Sequence, residues 1–436
     1  MTKNLKILVL LVCFLSIGFS IAGEIKTGNP ERKRSNKEAM SEATFKKFTK
    51  LQEMMADSKY DDARAGLNVL LQRRLNAFEK ANVNQYLGYI EQAQGHYDKA
   101  AKYFQAALDS DALPNQAHFP MMLQVAQMLI GSGSYQKGLD MLHKYYKQTD
   151  TIKDSVFAME ANAYAQLKQY NKAIPILKKA ISLSDKPAET WNYLLYSLYM
   201  ETSQFQQAAK TLETLIAINP NKEDYWKRLS GVYFNLKKDD KALATLVVAD
   251  KNGMMKDEKE RLRLFRMYAF LGVPYKAGKV LEQGLKNGVI KSEYKHWKTL
   301  GEVWYTAAEM DKSLAAFDEA SKTAQDGQID FRRAYIYFDR EDWPNVIKAL
   351  TSALEKGGLK ETKIGQAWLL MGMANNELGK MSKAVEALKN ASKYKSSRSN
   401  AVQWLDHIAS QQKRARAEAE QRKMLEEKAS DIVNET

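Results

Sequence analysis

Trp226-Lys-Arg-Leu229-Ser230-Gly-Val-Tyr233 is followed by Ala242, Leu246 and Ala249, and the same arrangement returns three more times. Trp297-Lys-Thr-Leu300-Gly301-Glu-Val-Trp304 precedes Ser313, Phe317 and Ala320. Trp368-Leu-Leu-Met371-Gly372-Met-Ala-Asn375 precedes Ala384, Leu388 and Ala391, and Asn84-Gln-Tyr-Leu87-Gly88-Tyr-Ile-Glu91 precedes Ala100, Phe104 and Ala107. The large residue, the leucine and the aromatic recur at spacings of three and four, which puts them on one face of a helix. The small residue beside the leucine lets a second helix approach closely, and the small residue of that second helix receives it. Each such pair leaves an apolar face that only the next pair can cover.

Working outward, the small position of the second helix is found at Ala63, Ala100, Gly138, Ala173, Ala208, Ala242, Ala277, Ser313, Val346 and Ala384, in steps of 33 to 38 residues. An aromatic stands three residues earlier at Tyr60, Tyr97, Tyr135, Tyr170, Phe205 and Trp343. Glycines mark the turns at 95, 133, 272 and 379, and Pro114, Pro187 and Pro220 fall where a helix must stop. The first unit is degenerate, with Lys47, Lys50 and Leu51 at positions that elsewhere hold the large residue, the leucine and the glycine. Val346 is bulky for its site.

The pattern W-x2-L-G-x2-Y, then small, then F or L, then A, resembles the tetratricopeptide repeat. The resemblance covers residues 44–395 and implies an all-α, right-handed solenoid of about ten helix-turn-helix units, closed by a C-terminal capping and charged helix over 396–436. In that last segment Trp404, Leu405 and Ile408 can cover the final unit, and from Gln411 onward the helix is polar almost all round.

The N-terminus reads as an export signal. Lys3 and Lys6 precede an apolar run from Ile7 to Phe19, too short for a comfortable membrane span, and Ser20-Ile21-Ala22 offers small residues for cleavage after Ala22. The alternatives are an uncleaved anchor and a lipoprotein, for which Val12 before Cys13 is a poor fit. Residues 23–43 carry Lys26, Arg32, Lys33, Arg34 and Lys37 among Gly, Asn, Pro and Ser, as a basic flexible linker does. Cys13 is the only cysteine, so the mature chain has no disulfide, thiol nucleophile or thiolate metal site. These features point to the periplasm. The net charge of +14 reads as a lysine-rich surface, and export argues against nucleic acid.

Catalytic signatures are missing. His96, His118, His143, His296 and His407 form no H-E-x-x-H or Cys/His motif, and there is no phosphate-binding glycine loop or G-x-S-x-G. The paired carboxylates Asp239/Asp240 and Glu426/Glu427 read as solvated charge. The sequence therefore predicts no enzyme, no cofactor and no metal, but a scaffold that holds a protein partner.

The repeat resemblance implies that first helices line a concave face with their second, fifth, ninth, twelfth and thirteenth residues. Carried over residue by residue, these are Tyr89 and Gln92, then Tyr193 and Met200, then Lys227, Phe234 and Asn235, then Lys295, Lys298 and Tyr305, and last Phe331, Tyr335 and Phe338. Aromatics there suggest a surface that buries a partner. Packing of the curved stack against them is the structural alternative. Chaperone-binding members pair a fifth-position lysine with a ninth-position asparagine. Here Gly231 follows Lys227 and Glu302 follows Lys298, so a C-terminal-tail clamp is not expected.

A signal peptide, about ten repeats and a charged C-terminal helix also look like the periplasmic repeat proteins of marine gammaproteobacteria that accompany TonB-ExbB-ExbD systems. That resemblance implies support of TonB-dependent uptake. A scaffold for envelope or surface-polysaccharide assembly, and a glycan- or peptidoglycan-binding module, are the other classes the sequence leaves open. Mass spectrometry of the periplasmic fraction should find a mature N-terminus at Gly23; a full-length chain retained in the inner membrane would reject cleavage.

Overall fold

The computed structural model describes residues 39–149 and 152–434. The export signal, Cys13 and most of the basic linker lie outside the described residues. The chain divides into two compact units at Lys237/Lys238. The first holds α1 (Glu42–Ala56) and α2 (Tyr60–Leu71), α3 (Ala77–Ala93) and α4 (Tyr97–Asp109), α5 (Asn115–Gly131) and α6 (Tyr135–Tyr146), α7 (Asp154–Gln166) and α8 (Tyr170–Leu183), α9 (Glu189–Glu201) and α10 (Phe205–Ile218), and α11 (Glu223–Asn235). The second holds α12 (Asp239–Lys251), α13 (Glu258–Phe270) and α14 (Pro274–Lys286), α15 (Tyr294–Thr306) and α16 (Met310–Thr323), α17 (Gln328–Asp339) and α18 (Trp343–Lys356), α19 (Glu361–Glu377) and α20 (Met381–Ser392), and α21 (Arg398–Asn434). Among the described residues every regular element is a helix, and in each unit successive helices pack on their neighbours in chain order, as an α-solenoid requires.

The repeat motif sets the distance between the two helices of a pair. A Cβ built on Gly88 of α3 would stand 2.5 Å from the Phe104 ring of α4. On Gly301 of α15 it would stand 2.4 Å from the Phe317 ring of α16, and on Gly372 of α19 2.6 Å from Leu388 of α20. The ring or leucine thus occupies the space where a side chain would be. Ser313 replaces the usual alanine in α16, and its buried hydroxyl donates to the Gly301 carbonyl at 2.8 Å. The degenerate first pair inverts the arrangement. Leu51 of α1 stands at the small position, and Gly66 of α2 makes room for it, with a Cβ there falling 2.3 Å from Leu51 Cδ2.

One turn precedes every second helix. Gly95 N–H donates to the Gln92 carbonyl (3.0 Å) and His96 N–H to the Glu91 carbonyl (2.8 Å), the two bonds of a Schellman motif. The residue at the centre is left-handed each time: Gly95, Gly133, Gly272 and Gly379, but also Ser58, Lys168, Ser203, Lys237, Ala308 and Glu341. A side chain there costs roughly 1–2 kcal/mol. Glycine therefore marks only some of the turns in the sequence, although all ten have the same geometry.

Buried carboxylates fasten one pair to the next. Glu91 of α3 meets Arg64 Nε of α2 at 2.9 Å and His96 Nδ1 at 2.8 Å. Glu160 of α7 accepts from the Tyr146 hydroxyl of α6 at 2.8 Å, with His143 Nε2 3.3 Å away. Asp330 of α17 is fully buried, held by Lys356 Nζ at 2.7 Å, Arg333 at 2.8 Å and the Ser321 hydroxyl at 2.7 Å. Burial alone would raise the Asp330 carboxyl; Lys356, Ser321 and Arg333 outweigh it and hold it below the usual carboxylate range.

At the N-terminal end α1 begins at Glu42 because Ser41 caps it, within the stretch the sequence suggested as linker. The Ser41 backbone N–H and hydroxyl both donate to Glu79 of α3, at 2.9 and 2.7 Å. Burial pushes the Glu79 carboxyl up, but the Ser41 hydroxyl and the Asn76 and Ser41 amides outweigh it and lower it to about 2. At the other end Ile408 of α21 is buried against Ala384 and Leu388 of α20, with Trp404 and Leu405 packed around it.

Replacing Gly301 by leucine should force α15 and α16 apart and cost about 1–3 kcal/mol or more. Because such stacks couple to nearest neighbours, hydrogen exchange should accelerate mainly in α14–α17. Uniform loosening of the second unit, or none, would contradict this packing.

Candidate partner-binding face

The first helices of the pairs carry the residues the sequence assigned to a groove, and burial sorts them. In the first unit, the Tyr89 ring of α3 is half-buried, edge-on to Phe104 at 5.3 Å and to Tyr86 at 5.7 Å. Its hydroxyl accepts from Gln85 at 2.9 Å, so the ring is engaged within the α3/α4 pair more than it is a free surface. Burial pushes that hydroxyl above its ordinary range. Tyr193 of α9 lies 5.8 Å from Tyr196 and 6.2 Å from Tyr225 of α11, with the Arg228 guanidinium 5.4 Å from its ring. Lys227 is half-buried and pairs with Glu223 at 2.6 Å, so its charge is already matched within α11. Phe234 and Asn235 are exposed at the end of the same helix. Arg228, which the sequence reading passed over, joins the aromatic faces of α9 and α11.

The second unit holds the more coherent surface. Tyr305 of α15 is half-buried, and the Arg332 guanidinium of α17 stands 4.9 Å over its ring. Tyr335, one turn after Arg332, is 36% exposed. Its ring meets Phe331 edge-on at 5.1 Å. The Lys363 ammonium, in the first turn of α19, lies 5.5 Å from the Phe331 ring. Lys298 is half-buried one turn into α15. Glu302 is the exposed carboxylate that follows it.

Phe331 requires a correction. It is 6% exposed and packs in the core with Ala334, Val346 and Leu350. It stands three residues before Ala334 and so shares the helix stripe that faces α18, while the start of α19 covers its other side. Phe338 is half-buried too, edge-on to Trp343 at 5.2 Å. Of the three aromatics expected to face a partner from α17, only Tyr335 is open. The stripe that is exposed on α17 is Gln328, Arg332, Tyr335 and Asp339. Arg332 and Lys363 escaped the sequence reading because neither falls on a groove position of the repeat. The available signal was a cation three residues before an exposed tyrosine.

Among the described residues no three His, Cys, Asp or Glu side chains are placed to share a metal ion. No described helix is long and apolar enough to cross a membrane.

Models of the tetratricopeptide repeat match residues 164–230, 87–121 and 365–397. The chain carries tetratricopeptide repeats. Among curated proteins none matches it significantly. Solved structures similar to parts of it include YrrB, a tetratricopeptide-repeat protein with an unusual peptide-binding site, at 15% identity over 38% of this chain and 82% of that one, with a TM-score of 0.33. MamA from Desulfovibrio magneticus RS-1 is similar at 16% identity over 39% of this chain and 94% of that one, with a TM-score of 0.35. Another MamA structure is similar at 18% identity over 40% and 94%, also at 0.35. The repeat fold is one that commonly holds protein partners.

Phe331→Ala should destabilise by about 3–5 kcal/mol, as removal of a buried ring does. Tyr335→Ala should melt within a degree or two of the parent. Equal melting of the two variants would reverse the assignment of core and surface on α17.

Proposed function

We propose that this protein is an exported, non-catalytic scaffold whose second unit holds an acidic segment of a protein partner across α15, α17 and α19. The observation that supports this reading is the run of cations and rings on those helices: Lys298, Tyr305 under Arg332, Tyr335, and Lys363. A cation already stacked on a ring is partly desolvated and pre-oriented, so it meets a carboxylate with less ordering cost than a free lysine. Exposed tyrosine then supplies the apolar contact at low entropy cost. The export signal supports a place in the periplasm, and the chain's overall order of signal, repeats and charged helix supports a role beside a TonB-dependent uptake system.

The test places a photo-crosslinker at Tyr335 in cells that export the protein, with Thr351 of α18 as the control position. Adducts should form from Tyr335 and not from Thr351. The double variant Lys298→Glu with Arg332→Glu should weaken partner binding by about 1–3 kcal/mol and flatten its salt dependence while melting as the parent does. Adducts that form equally from both positions, or binding unchanged in the double variant, would move the partner elsewhere.

A further inference from the structure

The groove positions of the first unit carry a pattern that the acidic-partner site of the second unit does not use. The second, fifth, ninth and twelfth positions of the first helices α1, α3, α5, α7 and α9 run from Phe45 to Met200 without one charged side chain, in a chain that is 27% charged. Amides stand there instead: Gln52, Asn82, Gln85, Gln92, Gln127 and Asn162 are all half-buried. The repeat itself does not demand neutrality, because α13 and α15 place Lys259, Arg266, Lys295, Lys298 and Glu302 at the same positions.

Three of these amides are tied into a ladder. Gln52 Nε2 of α1 donates to the Tyr86 hydroxyl of α3. Gln85 Nε2 donates to the Tyr89 hydroxyl at 2.9 Å, and Gln124 Nε2 of α5 donates to Gln92 Oε1 of α3 at 3.3 Å. Three successive pairs are joined in this way. Each bond uses one end of an amide and orients the other. Gln52 Oε1 and Gln85 Oε1 are left to accept, and Gln92 Nε2 and the Tyr86 O–H to donate; among the described residues no partner takes these groups. Phe45, two turns before Gln52 on the same stripe of α1, is 61% exposed.

A ligand for this face must be uncharged, since a carboxylate, phosphate or ammonium buried here would meet no opposite charge. It must offer donors and acceptors side by side, as a hydroxyl does, and an apolar patch for Phe45. A pyranose ring has both, with hydroxyls at its rim and C–H groups on its face. An extended peptide offers one donor and one acceptor per residue, in alternating directions, which suits this dense mixture less well. The ladder also holds the amides in place before the ligand arrives, which lowers the ordering cost of binding. We infer that the amide face of α1, α3 and α5 binds a neutral oligosaccharide. The site is separate from the one on α15, α17 and α19 and does not depend on it.

The experiment titrates the full chain, by calorimetry, with cellohexaose, maltohexaose, laminarihexaose and chitohexaose. The controls are a galacturonate hexamer, which is acidic, and an uncharged hexapeptide of Ser, Thr and Asn. At least one neutral sugar should bind, and neither control should. Gln85→Met with Gln92→Met keeps side-chain length and helix propensity. It should weaken sugar binding about tenfold, the loss expected of two hydrogen bonds. Phe45→Ala removes an exposed ring, so it should melt as the parent does and still weaken binding several-fold. This second variant keeps the test decisive if the first fails to fold. Tyr335→Ala, in the second unit, should leave sugar binding unchanged. Binding of none of the four sugars would overturn the proposal, as would sugar binding that persists in Phe45→Ala and in a folded Gln85→Met, Gln92→Met chain. Tighter binding of the hexapeptide would also overturn it and give the face to a peptide.

Discussion

In several pairs the two helices lie in contact where one of them gives up a side chain, and much of this molecule follows from that. Gly88, Gly301 and Gly372 accept Phe104, Phe317 and Leu388. With the spacing fixed, the leucine and aromatic of the first helix are turned toward the second, and the pair is left with an uncovered apolar side. The next pair covers it. Trp304 of α15, for example, lies so close to α14 that a Cβ on Gly278 would fall 2.9 Å from its ring. Buried carboxylates such as Glu91, Glu160 and Asp330 are tolerable at these seams because each is met by cations or hydroxyls from the same or the neighbouring pair. Broken pairs of that kind leave a charge that the interior cannot solvate.

Most of the fold was legible because its constraint is a size rule at fixed positions, and a sequence records size directly. The exception is instructive. Leu51 looked like a defect because a large residue occupied the small site. The compensating glycine, Gly66, sits on the other helix, where the motif has no rule, so only the contact itself shows that the rule was kept with the roles exchanged. The turns were half legible for a related reason. Glycine at 95 or 133 announces a left-handed residue, whereas Lys168 or Glu341 adopts the same conformation without any such mark.

The partner-binding face was less legible. A helix position tells which way a side chain leaves its own helix, but whether it then meets solvent depends on the neighbouring pair. Phe331 leaves α17 at a position that is open in a straight stack, and α19 closes over it. Arg332 sits one residue later and is open. Tyr305 and Tyr335 look alike in the sequence, yet one is roofed by a guanidinium and the other is not. Such differences are set by residues 27 to 32 positions away and by the curvature between pairs, which no local pattern encodes.

The Schellman turn has a consequence for how this chain can change length. Each of the ten turns is three residues long, from 57–59 through 378–380, whereas the connections between pairs vary from four residues at 219–222 to seven at 287–293. One residue added to a turn would advance the second helix by about 100° and carry its alanine and phenylalanine away from the glycine they must meet. The same residue added between pairs shifts a whole unit that keeps its internal phase. Insertions and deletions are therefore confined to one class of joint, and the chain can lengthen or shorten only by whole units or at those joints, like a ruler whose marks are fixed but whose sections are interchangeable.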